Sequence, residues 1–267
     1  MLIDSHCHLN DNLLYSQVDD VVHNAKTNEV GVMICVGYGP LANKRALEIA
    51  HRYPFIYAAI GFHPEIASEL LEADWLQLEA DLTDSRVVAI GECGLDYYWD
   101  KTHSDIQKTV FTRQISLART HKLPLIIHMR DATEDTYTIL KNNKPSDISG
   151  VMHCYSGSVE SMFLFVDLNM YISLAGPVTF KNAKVPKEVA KTIPDARLMI
   201  ETDSPYLSPV PLRGKTNEPK HLRYICEEIA SLRGITYDQA KKITTMNAIK
   251  LFNINSKIIS DSCEIDE

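Results

Sequence analysis

The chain has 267 residues, a length that suits one α/β barrel of about 250 residues and is long for an ordinary single domain. Its residues are 45% hydrophobic and 23% charged, which excludes a disordered or fibrous chain, and no apolar run approaches the ~18 residues of a membrane span. A formal net charge of −8 excludes a scaffold that coats nucleic acid through many phosphate contacts, but not an enzyme whose small cleft takes positive charge from bound metal ions.

Eight short runs rich in Val, Ile, Leu and Met read as strands buried on both faces: 1–4 (MLID), 30–37 (VGVMICVG), 55–61 (FIYAAIG), 86–92 (RVVAIGE), 123–129 (LPLIIHM), 150–156 (GVMHCYS), 170–176 (MYISLAG) and 197–203 (RLMIETD). Helical periodicity lies between them. In DDVVHNAKTNE, Val21, Val22 and Ala25 share a face. Ile106, Val110, Phe111, Gln114, Leu117 and Ala118 recur at three and four, and Ser104 with Gln107 reads as a capping box. VESMFLFVDLN and PKEVAKTI give shorter helices. A Pro- and Gly-rich loop, DSPYLSPVPLRGKTNEP, precedes two last helices, KHLRYICEEIASLRG and TYDQAKKITTMNAIKLF. This β-α alternation predicts an α/β fold, a single (β/α)8 TIM barrel with extra C-terminal helices over 1–255, and a polar tail over 256–267. An open doubly wound sheet is the alternative, but the first turn has no GxGxxG. The N-terminus does not read as a secretion signal, because Asp4 and His6 interrupt the apolar start. The six cysteines (Cys7, Cys35, Cys93, Cys154, Cys226, Cys263) form no CxxC pair and read as reduced thiols. The expected location is the cytoplasm.

Polar exceptions to the apolar runs cluster at their C-terminal ends, where a barrel carries its active site. They are His6 and His8, His63, Glu92, His128 and Arg130, His153, then Glu201 and Asp203. Five of the ten histidines are in this set. One such histidine alone is more often a hydrogen-bonding group than a ligand, and Glu92 could pair with Arg130. Imidazoles and carboxylates converging from several strands, however, suit divalent metal. Four histidines and two carboxylates exceed the needs of one tetrahedral ion, so a two-metal site with a shared carboxylate is the economical reading. His6 and His8 are two apart on an extended chain and share a face, with Cys7 turned away; Cys93 and Cys154 follow the same alternation. Arg130 could bind a phosphate or neutralise a local carboxylate. His23, His51, His103, His121 and His221 fall on helical or surface segments.

From MLIDSHCHLN to TTMNAIKLFNI, through GFHP, AIGECGLDYYWD, IIHMRDA, GVMHCYSGS, ETDSPYLSP and RGKTNEP, the ordered set resembles the TatD family of metal-dependent deoxyribonucleases among the amidohydrolase-like barrels. The resemblance implies metal ligands at His6, His8, Glu92, His128, His153 and Asp203. Glu92 stands as the bridge, where many relatives carry a carboxylated lysine. Glu201 lies one layer deeper. Two divalent ions are implied, Mg2+ or Mn2+ for activity, with a ligand chemistry that would also accept Zn2+ in purified protein. Asp203 would accept a proton from water, and His63 and Arg130 would face the phosphate. Tyr155, Arg213 and Lys215 would hold the flanking nucleotide. Thr216, where a basic residue is common, puts substrate preference in doubt. The implied partner is DNA, single-stranded or at 3′ ends, cut in the manner of an exonuclease, with neither a membrane nor an obligate protein partner. An esterase or amidohydrolase, such as a D-aminoacyl-tRNA deacylase, is the alternative; a barrel kept only for binding would lack a ligand, and none is missing.

Overall fold

A computed structural model describes residues 1–99, 101–143 and 146–254. Eight strands run in chain order, each parallel to the next: β1 (Leu2–Cys7), β2 (Val30–Val36), β3 (Ile56–Ile60), β4 (Val87–Asp96), β5 (Leu125–Arg130), β6 (Gly150–Met152), β7 (Met170–Leu174) and β8 (Leu198–Ile200). Helices alternate with them, so the fold is the expected TIM barrel rather than an open sheet. No described helix is long and apolar enough to cross a membrane. The polar tail over 256–267, with Cys263, lies outside the described residues.

Two apolar layers follow from strand alternation. Residues such as Met33, Cys35, Ile60 and Ile127 face outward and pack on helical residues including Val22, Phe111 and Phe165. Ile3, Val32, Ile34, Ile126 and Met199 face inward. There they meet Ala248, Leu251 and Phe252 of the last helix, Tyr237–Phe252, which closes the barrel at the N-terminal ends of the strands. The polar ends of the strands therefore lie at the other mouth.

Among the described residues, β8 and β1 form no ladder. Their seam is closed by side chains and loops. Buried Asp4 accepts Thr202 N–H at 2.9 Å, Ser5 Oγ donates to Ile200 O at 2.9 Å, and Asp203 N donates to His6 O at 3.0 Å.

Strand ends differ from the sequence reading for local reasons. β4 continues past Glu92 to Asp96, whereas β6 and β8 are only three residues long. Cys154 (φ 40°) and Asp203 (φ 55°) adopt left-handed conformations that no strand can continue. The helix Ser104–His121 has His103, not Ser104, at its N-cap, and Ile106 is exposed. Gln107 makes no capping box. It is buried and holds the backbone of Asp96, accepting its N–H and donating to its carbonyl, both at 2.9 Å.

Candidate metal centre

Two β-bulges aim the ligands. Leu2 faces outward and Ile3 inward, so strict alternation would place Cys7 inside and His6 and His8 outside. One extra residue between the pairs Asp4–Met33 and Cys7–Cys35 reverses that parity. Cys7 then joins the outer layer, with Sγ donating to Ile34 O, and the two histidines turn inward. β4 repeats the device between Ile90–Leu125 and Cys93–Ile127, which turns Glu92 inward and Cys93 outward. Gly94 allows the close strand approach beside it: a Cβ there would lie 2.0 Å from His128 O, and its φ of 141° suits glycine alone.

The six expected ligands meet. Nε2 of His6 and Nε2 of His8 are 3.1 Å apart. Glu92 Oε2 lies 3.5 Å from each, and Asp203 Oδ1 lies 3.6 and 3.4 Å from them. Donors around a tetrahedral ion with ~2.1 Å bonds are roughly 3.4 Å apart, so this set matches such an ion. The other oxygen of Glu92, Oε1, lies 2.9 Å from His128 Nδ1 and 2.8 Å from His153 Nε2, and these two nitrogens are 3.2 Å apart. Neighbouring donors of an octahedral ion with ~2.1 Å bonds are roughly 3.0 Å apart, so this second set forms one face for another ion.

Partners on the far ring nitrogens fix what each histidine presents. His8 Nδ1 donates to Val36 O at 2.9 Å, leaving the Nε2 lone pair for an ion. His128 Nε2 faces Asp96 Oδ2 at 2.9 Å, and His153 Nδ1 faces Glu201 Oε1 at 3.2 Å, so both present a lone pair beside Glu92. Glu201 also accepts Cys154 N–H at 2.7 Å. His63 is opposite in kind. Its Nδ1 accepts Glu65 N–H at 3.2 Å, so the proton is on Nε2, 3.6 Å from Glu92 Oε1. Burial and the neighbouring His128 push its pKa down to about 3, so the ring is a neutral N–H donor. Burial opposes ionisation of Glu92 and Asp203, but the surrounding imidazoles win and hold both carboxyls below their ordinary range. Buried His6 Nδ1 and Glu201 Oε2 have no hydrogen-bond partner among the described residues.

A family model described as TatD related DNase matches residues 3–253. The chain belongs to the TatD family. It is 49% identical over 255 residues to YabD of Bacillus subtilis (strain 168), described as an uncharacterized metal-dependent hydrolase, covering 96% of this chain and 100% of that one. YcfH of Escherichia coli (strain K12), described in the same words, is 36% identical over 259 residues, with 96% and 97% covered. The crystal structure of YjjV, a TatD homolog from Escherichia coli K12, superposes with a TM-score of 0.90 at 28% identity, covering 95% of this chain and 98% of that one. The converging imidazole and carboxylate side chains are groups able to hold metal ions, as suits a metal-dependent hydrolase of the TatD family.

The TatD centre opens into a cleft of about 670 Å³ lined by His8, His63, Glu92, His128, His153 and Asp203, with His6 fully buried behind them. The other expected residues are dispersed. Arg130 lines the cleft, its guanidinium 3.8 Å over the Tyr98 ring. Tyr155 does not line it: its ring is buried and its hydroxyl bonds Ser158 O and Ser161 Oγ. Arg213 stacks on Phe180 at 4.1 Å, and it and Lys215 are exposed outside the cleft lining. Cys154 corrects the alternation rule, since β6 has ended at Met152 and the left-handed turn brings Cys154 to the cleft wall. The sequence reading missed Asp96, although residues 92, 94 and 96 have one parity and a strand carried through GLD would have placed it beside Glu92.

Proposed function

We propose that this TatD-family hydrolase cleaves phosphodiester bonds of DNA from single-stranded or 3′ ends, using two divalent ions. One observation supports the reading above others: Glu92 turns one oxygen to His6 and His8, which Asp203 also faces, and the other to His128 and His153. A carboxylate shared in this way suits in-line displacement at phosphorus, where both the attacking and the leaving oxygen need support. Bound in these donor sets, Mg2+ or Mn2+ would make water more acidic and offset charge on the phosphoryl group.

The chain's own residues supply the rest. Asp203 accepts the proton of the attacking water. His63 donates an Nε2–H hydrogen bond to a phosphoryl oxygen, and Arg130 adds a fixed cation on the same wall. With a net charge of −8 and few cations near the mouth, the protein holds a strand end rather than tracking a duplex. The test compares wild type and Asp203→Asn on labelled single-stranded DNA with added Mg2+ or Mn2+. Cleavage by wild type and a loss of roughly a hundredfold or more in the variant is expected. Near wild-type cleavage by the variant overturns the assignment of Asp203. Hydrolysis of a D-aminoacyl-tRNA with DNA left intact moves the substrate to an ester at carbon.

A further inference from the structure

The chain has two tryptophans, and they differ in setting. Trp75 is buried edge-on against Phe62. Trp99 is 65% exposed and lines the cleft. A ring of that size gains most from burial, so a large exposed face on a cleft wall marks a surface that something covers.

The turn that carries Trp99 is held to the metal centre. Asp96 Oδ1 accepts the N–H groups of Tyr98 at 2.9 Å and Trp99 at 3.2 Å, while Oδ2 of the same carboxylate faces His128 Nε2 at 2.9 Å. Gln107 clamps the Asp96 backbone from behind. The aromatic turn and a metal ligand thus share one anchor, which fixes the reach between them.

The surroundings of Trp99 define what fits. Tyr98 meets it edge-on with ring centroids 4.8 Å apart. The guanidinium of Arg130 covers Tyr98 and lies 5.4 Å from the Trp99 ring centre. A flat aromatic face beside a guanidinium recognises a nucleotide, the ring stacking on a base and the cation meeting phosphate.

We propose that Trp99, with Tyr98 and Arg130, is a stacking platform for one unpaired nucleobase beside the phosphate to be cut; this rests on the phosphodiesterase reading above. A base inside a duplex has both faces covered by its neighbours and cannot use the platform. The platform therefore selects single-stranded or frayed ends.

The test uses the metal-loaded protein and a deoxyadenosine tetramer with phosphorothioate links, which slow cleavage, against a blunt hairpin with the same links. The tetramer is expected to quench Trp99 emission and the hairpin to leave it unchanged. By calorimetry, Trp99→Ala should bind the tetramer roughly ten- to a hundredfold more weakly, and Trp99→Phe, which keeps a flat ring, should stay within about threefold of wild type. Because Trp99 is exposed, its removal leaves no core cavity. Equal binding by Trp99→Ala and wild type, or equal binding of tetramer and hairpin, overturns the platform. Cleavage of ordinary DNA is scored separately: intact cleavage with no Trp99 effect sinks the platform alone, and a Trp99 effect with no cleavage sinks the phosphodiesterase reading alone.

Discussion

Asp96 Oδ2 lies 2.9 Å from His128 Nε2, and this contact turns the other ring nitrogen of His128 to within 2.9 Å of Glu92. Asp96 touches no other histidine of the centre, so its effect on the ions passes through His128. Removing a carboxylate that orients a ligand histidine lowers metal affinity roughly 10- to 100-fold. Asp96→Asn should show that loss in a metal titration; unchanged affinity would refute the orienting role.

Glu92 and His63 make a contrasting pair. Glu92 faces both donor sets, so under the two-ion proposal Glu92→Gln should reduce bound metal to fewer than one ion per chain. His63 presents an N–H, so His63→Gln should keep two ions and lose catalytic rate. Elemental analysis of both purified variants separates the roles, and loss of an ion from His63→Gln would make that ring a ligand. By the same assay His6→Ala should lose metal and Cys7→Ala should not.

Metal binding should release protons. Burial pulls the pKa values of His8, His128 and His153 down, but facing carboxylates lift them above the ordinary imidazole value: Asp203 and Glu92 for His8, Asp96 and Glu92 for His128, Glu92 and Glu201 for His153. A protonated ring cannot coordinate, so affinity is full above these raised values and falls as pH drops through them. Calorimetry at one pH in two buffers of different ionisation enthalpy reads the released protons directly. Identical heats in both buffers would contradict the shifts.

Asp4 should give the metal-free protein a second pH signature. Complete burial pushes its carboxyl up from near 3.8 to about 7, outweighing the hydrogen bonds from Thr202. In the unfolded chain the same group ionises near 3.9. Between about pH 4 and 7 the folded state keeps a proton that the unfolded state has lost, so stability falls as pH rises through this window and levels off above it. The effect is on the order of a few kcal/mol. Asp4→Asn, which carries the neutral shape, should flatten the fall in urea unfolding between pH 4 and 8; an equally steep fall would assign it elsewhere.

The barrel and the gathering of imidazoles and carboxylates at one mouth were legible because buried strands have a composition of their own and polar residues at their ends break it. What the sequence hid has specific causes. Ser104 and Gln107 have the spacing of a capping box, yet Gln107 is buried against Asp96, a pairing no local pattern encodes. Tyr155 follows a strand end that faces the mouth, and only the fold shows that its hydroxyl is used against Ser158 and Ser161. Cys154 escaped because alternation was carried beyond the end of the strand. Trp99 and Tyr98 carry no periodic signal, and their placement depends on the Asp96 carboxylate that accepts their N–H groups.

The bulges in β1 and β4 determine how this centre could be copied. Grafting the six side chains onto a regular barrel would leave His6 and Glu92 pointing into the helical layer, because each is turned inward by one residue more than the neighbouring strand has. The portable unit is a length of backbone as much as a set of ligands. Conversely, straightening the bulge between Asp4 and Cys7 with no residue removed would pair His6 with Cys35 and return a thiol to the place of an imidazole. Such a change of register would leave an intact barrel with its first donor set dismantled.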